Sequence, residues 1–174
     1  GDGKSETYIG SVAEDARLQP VAFFVERKAS SEEKSYKTDG WVKDKKLDVT
    51  FKPASAALAK TTESVSLQPS TYFSSFMGMA VARHFKEKGP LAFVAVVEDD
   101  GRMNVEVKKG LAEVQKAEKK IGSDLCRNAV IHFGGQIQQW WITKAGKTCS
   151  VEYPENGMKM ELSNEKQAKK ALGG

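Results

Sequence analysis

Apolar and polar residues alternate with a period of two along much of the chain, which is the signature of strands with one covered face. Thr7 to Val12 alternates in this way, and Leu47, Val49 and Phe51 alternate with Asp48, Thr50 and Lys52 behind a run that begins at Trp41. Pro20 to Lys28 (PVAFFVERK) is a denser apolar run with a charged exit, read as a strand partly covered on both faces. Between these, Ala29 to Lys37 is rich in Ser, Glu and Lys and reads as a mobile loop. Pro53 to Pro69 is rich in Ala, Ser and Thr and reads mainly as a long connection with one short helical turn.

The period changes after Pro69. Phe73, Phe76, Met77, Ala80, Val81, His84 and Phe85 recur at helical spacing, Ser70 stands where an N-cap belongs, and Gly89-Pro90 stops the pattern. The spacing predicts an amphipathic helix over 70–88. Leu91 to Glu98 and Arg102 to Val107 flank an Asp-Gly turn and predict a hairpin. Gly110 to Ile121, with Leu111, Val114 and Ile121 on one side, predicts a short second helix ended by Gly122. The last third reads as a meander: strands over 128–133, 136–143, 148–153 and 158–162, joined by Gly134-Gly135, Lys144 to Lys147 and Pro154 to Gly157. Ser163 stands as the cap of a short terminal helix ending at Gly173. The sum is an α+β fold: a curved antiparallel sheet of about seven to nine strands, packed by the 70–88 helix and one or two short helices. It is read as one domain over 7–174 behind a flexible leader, 1–6.

The chain has 174 residues, 40% of them apolar, so one ordinary core is available and general disorder is excluded. The longest apolar run, Leu91 to Val97, is about a third of a bilayer span. Lys and Arg number 27 against 23 Asp and Glu, a net charge of +4 that is dispersed along the chain. The most basic stretches, Lys116 to Lys120 and Lys166, Lys169 and Lys170, read as solvated faces, so no nucleic-acid partner is expected.

Cys126 and Cys149 have no CxxC or Cys/His spacing, which argues against a zinc site. They are either two buried thiols or one disulfide closing a loop of about two dozen residues, a bridge contributing roughly 3 kcal/mol in the chain-entropy model. Compartment decides between the two. The opening Gly1-Asp2-Gly3-Lys4-Ser5-Glu6 is small and polar. In composition it resembles the tether that follows the lipidated cysteine of bacterial lipoproteins. That resemblance implies export to the periplasm or outer surface and a lipid anchor. It implies no fold, activity or site residue.

Catalytic signatures are not found. Gly3-Lys4-Ser5 ends like a phosphate-binding loop but lacks the upstream glycine and strand. His84 falls on the apolar side of the 70–88 helix, and neither it nor His132 has a serine or cysteine partner by motif. Glu98-Asp99-Asp100 lacks the calcium-loop pattern and reads as a solvated turn. No cofactor or metal is expected, nor an enzyme.

The informative surface candidate is Gln136 to Trp141 (QIQQWW). Adjacent strand residues face opposite ways, so Trp140 and Trp141 cannot both enter one core. Either both faces are covered, or one tryptophan is an exposed anchor beside Gln138, with His132 on the neighbouring strand. The expectation is a non-enzymatic exported protein that binds a protein partner or an envelope component. The alternatives are a small-molecule carrier with an apolar pocket between sheet and helix and, behind it, a cytosolic binder of single-stranded nucleic acid.

Overall fold

Most segments with a period-two pattern become strands, as do three stretches whose pattern suggests something else. Of the predicted strand over 102–107 only Glu106 and Val107 are strand, and 102–103 lie outside the described residues. A computed structural model describes residues 5–99 and 104–161. The predicted leader lies mostly outside these residues, as do the Asp100-Gly101 turn, the 163–173 helix and the lysines within it. Five strands, β1 (Ser5–Ala13), β2 (Pro20–Ala29), β3 (Tyr36–Lys43), β4 (Lys46–Pro53) and β5 (Thr61–Ser66), form an antiparallel sheet in sequential order. Seven more are β6 (Thr71–Phe73), β7 (Leu91–Val97), β8 (Glu106–Ile121), β9 (Asp124–Phe133), β10 (Gln136–Ile142), β11 (Thr148–Tyr153) and β12 (Met158–Glu161). Their order is β12-β11-β10-β9-β8-β7-β6. The predicted C-terminal meander is present: β8 to β12 pair successively and antiparallel.

The α+β expectation is wrong. Among the described residues the chain is mostly β, and the one α-helix is α1 (Met77–Arg83), extended by 3-10 turns at Ser74–Phe76 and His84–Lys86. The predicted 70–88 helix is shortened at its start. Ser70 is no N-cap: it takes a left-handed φ of 61°, its carbonyl accepts from the Val94 amide, and Thr71 to Phe73 then pair in parallel with β7. The predicted 110–121 helix is part of β8. Its register runs from Val114 opposite Ala129 to Glu118 opposite Arg127, so Gln115, Lys116 and Ala117 stand against Asn128 alone. The bulge interrupts the regular pairing, and Leu111, Val114 and Ile121 fall at a spacing that imitates a helix. The predicted 53–69 connection contains β5, an edge strand needing little apolar character, and only its Val65 is partly buried. The 29–37 loop holds a 3-10 turn, Glu32–Lys34, and the Ser35 hydroxyl accepts from the Ala29 amide at 3.0 Å.

The chain divides into two compact units, Gly1–Met77 with Phe93–Lys109, and Gly78–Ala92 with Gly110–Gly174. The first has its core on one face of the five-stranded sheet. Phe23 and Val25 of β2, Tyr36 of β3, and Leu47, Val49 and Phe51 of β4 are buried there with Phe73. Phe23 meets Phe73 edge to face at 5.5 Å and lies over Gly40, where an added Cβ would come within 2.1 Å of its ring. Each such side chain contributes roughly 1.5–3 kcal/mol by burial.

Glu98 belongs to this unit and is only 2% exposed, which overturns its reading as part of a solvated turn. Its Oε1 accepts from the Ser11 hydroxyl and the Ser75 amide and hydroxyl, and its Oε2 from the Ser74 amide and hydroxyl. The carboxylate, one residue past β7, thus satisfies amides at the start of the helical segment that its own short sequence leaves uncapped. Beside it, Asp99 accepts from the Tyr36 hydroxyl.

In the second unit Ala80 and Val81 of α1 are buried, as are Ala112, Ala129, Ile131 and Ile142 of the strands. Gly78 and Gly146 allow α1 to sit on the β10–β11 turn, since a Cβ on Gly146 would lie 2.5 Å from the Met79 Cα. Cys126 of β9 and Cys149 of β11, on the two strands that flank β10, form a disulfide.

Candidate functional site

The tryptophans of β10 obey the alternation and point to opposite faces, and neither is exposed. The Trp140 indole donates to Gln138 Oε1 at 2.8 Å, and Gln138 is itself buried. Trp141, paired with Asn128 and Ser150, carries the Lys119 ammonium 3.8 Å over its ring, and Lys119 also reaches Glu152 at 3.0 Å. The Trp141 indole nitrogen and the Ser150 hydroxyl are buried with no hydrogen-bond partner among the described residues. His132 is exposed on β9 opposite Ile137. Gln138 and Trp140 therefore share one face while His132 and Trp141 share the other, and the four residues do not converge. His84 closes its own turn through a 3.0 Å contact between Nε2 and the Gly89 carbonyl.

The exposed aromatic residues lie elsewhere, on the face of the five-stranded sheet opposite the core of the first unit. Register places Val12, Ala22, Trp41, Asp48 and Ser64 in one row across β1 to β5. Gly10, Phe24, Asp39, Thr50 and Thr62 form the next row, and Tyr8, Glu26, Lys37 and Lys52 the third. Exposure is 67% for Trp41, 57% for Val12, 52% for Tyr8 and 51% for Phe24. These four form one contiguous apolar patch on β1 to β3, and isolated apolar side chains would need no explanation whereas a patch does. Phe24 leans over Gly10, where a Cβ would fall 2.1 Å from its ring, so the sheet itself fixes the ring's position.

Paired charges border the patch on its Tyr8 and Phe24 side, while Lys43 and Lys46 lie exposed in the row beyond Trp41. Lys37 bonds Glu26 at 3.1 Å with Lys28 at 3.8 Å, and Lys52 pairs with Asp39. The Lys37 hydrogen bond, with the charges of Lys28 and Lys37 adding to it, holds the Glu26 carboxyl below its ordinary value. The pair therefore stays closed at neutral pH and opens only as pH falls through that lowered value. Beyond the rings, on β4 and β5, the same face is polar, and the Ser64 hydroxyl donates to Asp48.

Reasoning from sequence missed this face. The signal was present in Phe23-Phe24, which must point to opposite sides, and in Trp41, which falls in the polar phase of β3.

A groove of about 470 Å³ in the second unit is lined by Phe85, Glu87, Pro90, Glu113, Lys116 and Arg127, among others, beside the β8 bulge. Its lining mixes charged with apolar side chains, and Arg127 is already held by Glu118 and stacked on Phe85. The described residues contain no cluster of three or more metal-ligating side chains and no helix long and apolar enough to cross a membrane. Compared with protein-family models, curated proteins and solved structures, the chain matches none.

Proposed function

We propose that this chain is a non-enzymatic binding protein of an oxidising compartment, the periplasm or cell surface. In this reading the outer face of the five-stranded sheet holds a partner protein or an envelope component. The observation that carries it is the contiguous exposure of Tyr8, Val12, Phe24 and Trp41. Aromatic side chains held at one surface supply large contact area at small entropic cost, which is how binding anchors are built. The Cys126–Cys149 disulfide supports the compartment, because such bonds persist where thiols are not kept reduced. A small-molecule carrier receives less support, since the groove beside the helical segment mixes charged with apolar side chains and its Arg127 is already paired with Glu118.

Site-specific photo-crosslinking in intact cells tests the reading. A crosslinker at Val12, which leaves Trp41 in place, should yield one dominant adduct, and the same group at Thr62, in the polar half of the face, should yield it weakly. Equal or absent adducts at both positions would reject the outer face as the binding surface. Alkylation before lysis that labels Cys126 and Cys149 without reductant would reject the compartment.

A further inference from the structure

We propose that the outer sheet face holds a different, folded protein whose contact surface is apolar at its centre and carries carboxylates along one side, where it meets Lys43 and Lys46. This rests on the reading of that face as the binding surface and names the chemistry of what it holds.

Lys43 and Lys46 flank the two-residue turn between β3 and β4 and stand directly opposite one another in the register. They alternate with Val42 and Leu47, so they share the outer face with Trp41 and Asp48. Directly opposite side chains have Cβ atoms about 4.5–5.5 Å apart, where like charges repel. Both lysines are exposed, and among the described residues neither makes an ion pair. The other lysines of this face are closed, Lys28 and Lys37 by Glu26 and Lys52 by Asp39. Asp48, one row in from Lys46, accepts from the Ser64 hydroxyl, and the charges of Asp44 and Lys45 in the turn offset each other. The hairpin thus ends in an ammonium pair beside Trp41, anchored by Leu47, which is fully buried on the opposite face.

Area fits a protein. Taking roughly 150–250 Å² per aromatic side chain, the exposed fractions of Tyr8, Phe24 and Trp41 with that of Val12 amount to about 400 Å² of apolar surface. An ordinary protein interface takes roughly 800 Å² from each partner, about 56–58% of it apolar, which is close to what the patch supplies. Charge then selects the kind of protein. The unpaired ammonium groups lie at one end only, and elsewhere the face carries Glu6, Glu26, Asp39 and Asp48. A polyanion or a uniformly anionic surface laid across the rings would meet those four carboxylates. A second copy of this chain is a poor complement, because its Glu26 and Asp39 are closed by its own lysines, while its Glu6 and Asp48 accept from the Tyr8 and Ser64 hydroxyls. A protein with an acidic margin on one side covers the rings and relieves the repulsion between Lys43 and Lys46 in a single docked position, which is how charge fixes register at an interface.

The test uses the full chain in intact cells, with the photo-crosslinker at Val12. Lys43→Glu combined with Lys46→Glu should cut the adduct at least tenfold, with the circular dichroism of the purified variant unchanged, whereas Lys43→Arg combined with Lys46→Arg should keep it. The same crosslinker at Ser66, in the row of Lys43 and Lys46, should attach to a segment of the partner with more Asp and Glu than Lys and Arg, read by tandem mass spectrometry. The captured protein, once purified, should bind the full chain with an affinity that falls at least tenfold from low to high salt. An adduct unchanged by the paired Glu variant, attachment to a neutral or basic segment, or an affinity indifferent to salt would overturn the proposal. So would an adduct of twice the chain's own mass, in favour of a second copy, or an adduct to lipid, nucleic acid or polysaccharide. An adduct at Val12 that survives the paired Glu variant removes the acidic partner and leaves the surface, whereas no adduct in the unaltered lysine background removes the surface as well.

Discussion

Replacing Glu98 by Gln changes a single atom type inside a nearly dry site and should cost about 2–3 kcal/mol. Five donors converge on the two carboxylate oxygens, an arrangement made entirely of acceptance on the Glu98 side. Gln supplies one oxygen and one NH2 group. Its best orientation keeps the oxygen on the three donors from Ser11 and Ser75 and turns the NH2 toward Ser74. The Ser74 hydroxyl can rotate to accept, but the Ser74 amide cannot, so one backbone donor is stranded at roughly 1–3 kcal/mol. The surviving bonds also lose their charge assistance, which roughly halves their strength. Relief of carboxylate desolvation offsets part of this, leaving the stated net. At about 2–4 °C per kcal/mol for a chain of this length, the thermal midpoint should fall by about 5–10 °C. Urea unfolding followed by circular dichroism gives the free energy directly. A loss below about 0.5 kcal/mol would refute the reasoning, because a stranded amide in a buried site cannot be that cheap.

Three further perturbations have definite expected outcomes. Cys126→Ala combined with Cys149→Ala, or reduction of the native protein, should lower stability by about 3 kcal/mol for the 23-residue separation, read as a midpoint shift that reductant no longer enlarges in the variant. Asp44 and Lys45 both sit at positive φ, 48° and 60°, in the two-residue turn between β3 and β4, so Lys45→Gly should stabilise by about 1 kcal/mol in urea unfolding. Gly146→Ala combines a φ of 89° with a Cβ 2.5 Å from the Met79 Cα and should destabilise by about 2–4 kcal/mol, while Gly157→Ala, with open space around it, should lose only the backbone part.

The strands that could be read from the sequence are those whose alternation is uninterrupted and whose turns carry glycine. β9 and β10, joined at Gly134 and Gly135 with φ of 60° and 77°, are the clearest case. β8 was hidden because two extra residues at its bulge interrupt the pairing and its apolar residues fall at a spacing that mimics a helical repeat. β5 was hidden because an edge strand with one partly buried residue has almost no apolar pattern to show. Glu98 could not be recognised locally, since its partners Ser11 and Ser74 are 87 and 24 residues away and only the fold brings them together. The same limit applies to the candidate site. Alternation separates Phe23 from Phe24 and Trp140 from Trp141, but it does not say which face is buried. Pairing and burial put Phe24 and Trp41 outside and leave both β10 tryptophans half-buried.

The most direct measurement of the central claim is a paired readout on Trp41→Ala: unfolding free energy in urea, and yield of the adduct from a crosslinker placed beside it at Val12. A binding anchor that is 67% exposed should cost less than about 1 kcal/mol of stability when truncated, while the adduct disappears. A loss of more than about 2 kcal/mol together with an unchanged adduct would contradict the account, because Trp41 would then be holding the fold together rather than holding a partner.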